Sequence, residues 1–188
     1  ATPLVLSGLA VTLAFRAGLF NIGGQGQIVL GAAAAGYVGW HFHLPPVIGV
    51  VLALMAGAAA GTVFGAIPGA LKVRTGAHEV ITTIMLNYIA AQVVFFALRS
   101  DALRRPGSTA PVSKPMSGFV DIPLIINLPA IRLDYGFVIA LLMAVAVSFL
   151  LFRTTKGYEL RASGFNLTAA RYAGMSAGGS MMLAMTLS

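Results

Sequence analysis

Five uncharged hydrogen-bonding side chains stand within otherwise apolar sequence. Asn21, Gln25 and Gln27 lie in the stretch Phe20 to Gly31 (FNIGGQGQIVLG), and Thr83 and Asn87 lie in the run Val80 to Leu98. Amides and hydroxyls offer both donors and acceptors without charge, which suits a neutral polyhydroxylated solute better than an ion. Gly23, Gly24 and Gly26 lower helix propensity among the three amides. Backbone released from a helix at membrane depth is tolerated only where protein buries it or water reaches it. A broken helix bearing polar groups is one way transporters build a solute site. The same residues also fit a tight polar turn between two helices. Thr83 and Asn87, four apart, share one helix face. Asn87 then serves either a solute path or a hydrogen bond to a neighbouring helix.

Other chemistries find little support. With no cysteine, disulfides, thiolate metal sites and cysteine nucleophiles are excluded. His41 and His43 flank Phe42 and read as a metal pair or as two histidines at a membrane boundary; Tyr37 and Trp40 beside them favour the boundary. No Gly-x4-Gly-Lys-Ser/Thr loop is present, so the chain binds no nucleotide in that mode. Glu79, Asp101, Asp121, Asp134 and Glu159 all fall in predicted loops or at span ends. That argues against an ion-coupled secondary transporter, which places ionisable groups within its spans.

The elements that must position these residues are membrane helices. A mean hydropathy of +0.90, with 58% hydrophobic and 9% charged residues, lies far outside the range of soluble domains. The expected fold is an all-α polytopic transmembrane helical bundle, with room for about five or six spans. Spans are predicted at Pro3 to Phe20, onward from the glycine-rich break to Trp40, at Val47 to Leu71, at Val80 to Leu98 and at Tyr135 to Phe152, with a sixth beginning near Met181. The chain opens in an apolar run without Met and stops inside another, so residues 1–188 are expected to be a single membrane domain truncated at both ends. Gly57, Gly61, Gly65 and Gly69, with Ala53 before them, put small residues along one helix face. Such a face lets a neighbour pack closely. Pro68 is expected to kink or end that helix. The proline-rich segment 99–134 reads as an extramembrane loop, with Ile122 to Leu128 lying on the surface.

Arg153 to Gly174 (RTTKGYELRASGFNLTAARYAG) is a long polar segment between two apolar runs. Asn166 is placed to cap a short helix, Leu167 to Ala173, and Gly174 to stop it. The segment carries Lys156, Glu159, Arg161 and Arg171 and belongs in water at the membrane face, as a docking element or as a plain connecting loop. Its side of the membrane, with the loop Lys72 to Glu79, holds six Lys and Arg against five on the other side. The count leans toward a cytoplasmic placement. The net charge of +7 has the same origin; no basic stripe interleaved with aromatics marks a nucleic-acid partner.

Three blocks, PLVLSGLAVTLAFRAGLFNIGGQGQIVLGA, LKVRTGAHEVITTIMLNYIA and TTKGYELRASGFNLTAARYAGMS, resemble the permease subunits of bacterial ABC importers of the nucleoside and simple-sugar branch, in the branched-chain amino acid and ribose-like permease family. They run in the family's order, cover nearly the whole chain, and match the nucleoside-type members more closely. The resemblance implies a multi-pass protein of the bacterial inner membrane that is not itself an enzyme. Its implied partners are the lipid bilayer, a second permease subunit (identical or homologous), two ATPase subunits that carry ATP and Mg, and an extracytoplasmic solute-binding lipoprotein. It implies a cytoplasmic coupling segment over 153–174 whose coupling helix falls on Gly157 to Gly174, with Gly157, Glu159, Arg161, Gly164, Asn166, Ala169, Ala170 and Gly174 matching the pattern and Arg171 adding a docking charge. Segment 99–134 is then extracytoplasmic. The chain departs from the pattern at Gln25, where an acidic residue is favoured, and at His78, where Asn is favoured. A non-transporting membrane scaffold would use the glycine face of Gly57 to Gly69 but not the amide-bearing break.

Overall fold

The structure is a computed structural model that describes residues 2–42, 45–100, 103–108, 110–115, 122, 124–127 and 132–188. His43, Asp101 and Asp121 lie outside the described residues. Among the described residues the chain forms a bundle of eight helices: α1 (Thr2–Arg16), α2 (Gly24–His41), α3 (Pro46–Thr75), α4 (Glu79–Arg99), α5 (Tyr135–Arg153), α6 (Thr155–Phe165), α7 (Leu167–Tyr172) and α8 (Ala177–Leu187). Two short antiparallel strands, β1 (Leu124–Asn127) and β2 (Arg132–Asp134), pair Leu124 with Asp134 and Asn127 with Arg132. Of the segment Ile122 to Leu128 expected on the surface, Leu124 to Asn127 forms β1, with Leu124 and Ile125 exposed, and Pro123 and Leu128 lie outside the described residues.

Among the described residues α3, α4 and α5 are long and apolar enough to cross a membrane, and α1 and α8 are shorter apolar helices. Little of the three long spans is covered by the rest of the chain, as suits surfaces that meet lipid or further helices. α2 is of similar length, but Gln25 and Gln27 in its first turn lower its hydropathy.

Three boundaries differ from the sequence reading. α1 stops at Arg16, where Gly18 (φ +72°) turns left-handed, so Leu19 and Phe20 belong to a connection rather than to a span. α3 passes through Pro68 and ends only where Gly76 (φ +70°) donates its N–H to Lys72 O at 3.1 Å. Membrane helices accommodate an internal proline more readily than soluble ones. Lys72 and Arg74, expected in a loop, thus form the last turn of α3, where their charges complement the carbonyl end of the helix. The Lys72–Glu79 ion pair, 2.7 Å, then closes the short turn into α4. Finally, Thr155 to Phe165 is helical.

α2 lies along α3, α8 takes the other end of α3, and α4 packs on α2. α1 and α5 pair, and α6 bridges them to α8. A hydrophobic core lies at that bridge: Leu13, Ala17, Leu19, Leu151, Leu160, Ala184 and Met185 bury one another. The polar segment after α5 is therefore anchored in this core.

Candidate solute site and coupling segment

The break between α1 and α2 is built by Asn21 and Asn87. Asn21 Oδ1 accepts from Gly23 N–H at 2.8 Å, folding the connection back on itself, and Asn21 Nδ2 donates to Ser188 Oγ at 2.7 Å beyond the end of α8. α2 starts at Gly24 after Gly23, which has no side chain to cap it. The cap comes instead from α4: Asn87 Oδ1 accepts from Gly26 N–H, the third amide of α2, at 2.8 Å. That amide has no partner within its own helix. Asn87 Nδ2 donates to Ile22 O at 2.9 Å. One amide side chain thus satisfies a donor and an acceptor of the broken backbone, 61 and 65 residues away.

The glycines serve a purpose other than the one their propensity suggested. The helix is interrupted upstream, over residues 17–23, and Gly24 and Gly26 lie inside α2. A methyl on Gly26 would stand 2.9 Å from both Asn87 Oδ1 and Phe64 Cε1, and one on Gly23 would stand 3.3 Å from Thr83 Cβ. Both glycines let α4 approach closely enough for Asn87 to reach the backbone. Thr83 is fully buried and donates to Glu79 O at 2.7 Å, within its own helix.

The five sequence candidates therefore divide. Asn21, Thr83 and Asn87 spend their hydrogen bonds on the protein. Gln25 is exposed at the first turn of α2 and makes no hydrogen bond among the described residues. Gln27 is half-buried, its amide lying over Gly65 of α3, beside which Met185 O also lies. Gln25 and Gln27 are thus the two candidates whose side-chain amides make no hydrogen bond among the described residues, Gln25 exposed and Gln27 half-buried.

The α3 stripe meets two helices. A methyl on Gly31 of α2 would stand 2.9 Å from Gly57 O, and one on Gly57 would stand 3.2 Å from Gly31 O. A methyl on Gly61 would meet nothing closer than Gln27 O at 3.8 Å. Gly65 faces Gln27 and Met185, and a methyl on Gly69 would stand 3.1 Å from both Met182 Sδ and Met185 Cβ. Backbone-to-backbone approach of this kind is open only to glycine.

Segment 153–174 is two helices in place of the single short one expected. Thr154 Oγ1 accepts from Gly157 N–H at 3.0 Å and caps α6. Asn166 Oδ1 accepts from Thr168 N–H and Ala169 N–H, each at 3.0 Å, and caps α7; Gly174 (φ +77°) follows it in the left-handed region. Two glycines fix α6. A methyl on Gly157 would collide with Leu150 O and stand 2.6 Å from Leu151 Cα. One on Gly164 would collide with Arg16 O and stand 2.9 Å from Gly18 N. Being seven residues apart, they lie on one face two turns apart and bind α6 to the ends of α5 and α1. Ala170 is buried, whereas Ala169, Arg171 and Gly174 are exposed. Phe165, the last residue of α6, and Tyr172, the last of α7, are 88% and 90% exposed; two aromatics bracketing a short polar stretch were the available sequence signal. Lys156 and Glu159 pair at 3.0 Å on the surface of α6, while Arg161 turns back toward Phe152 at the end of α5, its Cζ 5.0 Å from the ring centroid.

The fold is a helical membrane bundle with a capped break near one end and a helix pair held against its spans. The chain belongs to the family described as branched-chain amino acid transport system / permease component, whose model matches residues 1–188. Among curated proteins it is 44% identical to the guanosine ABC transporter permease protein NupP of Bacillus subtilis, over 100% of this chain and 53% of that protein. It is 32% identical to the nucleoside ABC transporter permease protein NupB of Lactococcus lactis, over 98% of this chain and 52% of that one. It is 35% identical to the glucose ABC transporter permease protein TsgB13 of Haloferax volcanii, over 94% of this chain and 48% of that one. The chain spans about half the length of these relatives. No solved structure matches it.

Proposed function

We propose that this chain is part of the transmembrane permease of an ATP-driven importer that moves nucleosides across the bacterial inner membrane. The observation that carries the reading is the double fastening of α6 at Gly157 and Gly164. A connecting loop needs no such attachment. An element that must pass displacement from a partner to the spans does, because a compliant joint would absorb the movement. α7, capped by Asn166, with Phe165 just before it and Tyr172 at its end, is the surface offered to that partner.

In this mechanism ATP and Mg sit on two separate ATPase subunits on the cytoplasmic side. Their closure moves α7 and α6, which carry the ends of α1 and α5 and shift the bundle between outward- and inward-facing states. A second permease subunit, identical or homologous, completes the pathway, and an extracytoplasmic solute-binding lipoprotein delivers the solute at the side of segment 99–134. The names of the guanosine and nucleoside relatives support a nucleoside as the solute. Gln25, whose amide both donates and accepts, is the residue assigned to meet its hydroxyl or base edge. Asn21 and Asn87 hold the broken backbone that presents Gln25 to the path.

The test is uptake of radiolabelled guanosine by cells carrying the complete transporter, with the ATPase subunit intact or inactivated. Uptake that disappears with ATPase inactivation supports the reading. Uptake that persists and follows an ion gradient contradicts it and favours a secondary carrier.

A further inference from the structure

We infer that Arg16, Phe152 and Arg161 form a binding site for the phosphate of an anionic phospholipid headgroup, at the junction of α1, α5 and α6. The guanidinium carbons of Arg16 and Arg161 stand 5.9 and 5.0 Å from the centroid of the Phe152 ring. One aromatic side chain thus gathers two like charges. Neither arginine is in an ion pair among the described residues; Glu159, two positions from Arg161, is taken by Lys156. Arg161 Nε is buried and has no hydrogen-bond partner. A buried guanidinium N–H is costly to leave unmet, and no carboxylate among the described residues neutralises either arginine, so the group as it stands asks for an anion.

The position selects which anion. Phe152 is in the last turn of α5, a membrane-spanning candidate, and about half of it is exposed. Arg16 is in the last turn of α1, where a cation complements the carbonyl end of the helix. Arg161 lies in the middle of α6, where no helix end accounts for it. Both arginines therefore lie at the height where a span leaves the hydrocarbon, which is where phosphodiesters are concentrated. Planar guanidinium groups bind phosphate through paired hydrogen bonds, which ammonium groups do not match. The inference needs only that α5 spans the membrane, and it holds for either leaflet. Because Gly164 binds α6 to the same end of α1, an occupied site would also tie the α6 lever to the bilayer surface.

The experiment is native mass spectrometry of the full-length purified protein titrated with phosphatidylglycerol, with phosphatidylcholine and inorganic phosphate as the other arms. Wild type should bind phosphatidylglycerol in preference to phosphatidylcholine, and free phosphate should not compete at millimolar concentration. Affinity should fall about fivefold for each arginine neutralised, so more than tenfold in R16Q/R161Q, with R161K recovering only part of the loss. Arg171→Gln, on exposed α7, should leave phosphatidylglycerol binding unchanged. If the double variant does not purify, R16Q alone decides, since Arg16 is exposed and its loss should still cost about fivefold. Unchanged phosphatidylglycerol binding in a folded R16Q or R16Q/R161Q protein overturns the assignment. So does loss of ATPase-subunit co-purification in R161Q with lipid binding intact, which would make Arg161 a protein contact. Competition by free phosphate would make the site one for a soluble anion.

Discussion

Replacing Asn87 with leucine separates a structural clamp from a solute ligand. Leucine keeps much of the volume and removes both polar atoms. Gly26 N–H is buried and would lose its acceptor, and Ile22 O, more exposed, would lose its donor. An orphaned buried donor costs about 1–3 kcal/mol, and a lost ordinary hydrogen bond about 0.5–1.5 kcal/mol. The sum is roughly 2–4 kcal/mol of stability, centred on the α2–α4 contact. Thr83→Val, one turn away on the same face, is the control. Its hydroxyl donates only to carbonyls of its own helix, and an apolar group of the same shape should cost less than about 1 kcal/mol. The assay is reversible unfolding of the full-length protein in mixed micelles with increasing SDS, paired with guanosine uptake in cells. Asn87→Leu should lower stability by several times the Thr83→Val effect. It should reduce the uptake rate in proportion to folded protein and leave KM within about twofold. A variant of wild-type stability with a strongly raised KM would refute the clamp and return Asn87 to the solute path.

Three further outcomes are expected. Gln25→Ala should raise the KM for guanosine severalfold without changing unfolding stability, because the side chain is exposed and makes no hydrogen bond within the described chain; equal KM would remove Gln25 from the path. Gly31→Ala should cost about 1–3 kcal/mol, because its methyl would stand 2.9 Å from Gly57 O, whereas Gly61→Ala, with 3.8 Å to its nearest neighbour, should be nearly neutral; the same unfolding assay compares them. Glu159→Arg should leave insertion and stability close to wild type, since it breaks only a surface pair with Lys156. It should nonetheless uncouple ATP hydrolysis from uptake, and wild-type uptake in this variant would count against a docking role for the outer face of α6.

Much of this arrangement could be read from the residues. Apolar runs predicted the long helices to within a few residues, because lipid leaves the backbone no alternative to internal hydrogen bonding. Asn166 and Gly174 mark the ends of α7 because caps act within a few residues of their own position. The misreadings involve glycine and distance. Gly23, Gly24 and Gly26 suggested the break, yet it is Gly18 that turns left-handed, while Gly26 is helical and small so that Asn87 can reach it. Gly157 and Gly164 disguised α6 in the same way: they weaken local helix propensity and strengthen the contacts with α5 and α1 that hold the helix in place. The partition of the five polar residues depended on partners more than sixty positions away, such as Ile22 and Gly26 for Asn87. Spacing could show that Asn87 sits inside a span, but not which way its amide is used.

The most direct test of the coupling role places one thiol on α7. Thr168→Cys puts it on the exposed face of that helix, within a complete transporter whose cysteines elsewhere have been replaced. A short bifunctional crosslinker should join it to the ATPase subunit, with a yield that changes when ATP is bound. Ser113→Cys, in the segment assigned to the opposite side, should give no such product. ATPase adducts from Ser113→Cys and none from Thr168→Cys would reverse the orientation and remove α7 from the mechanism.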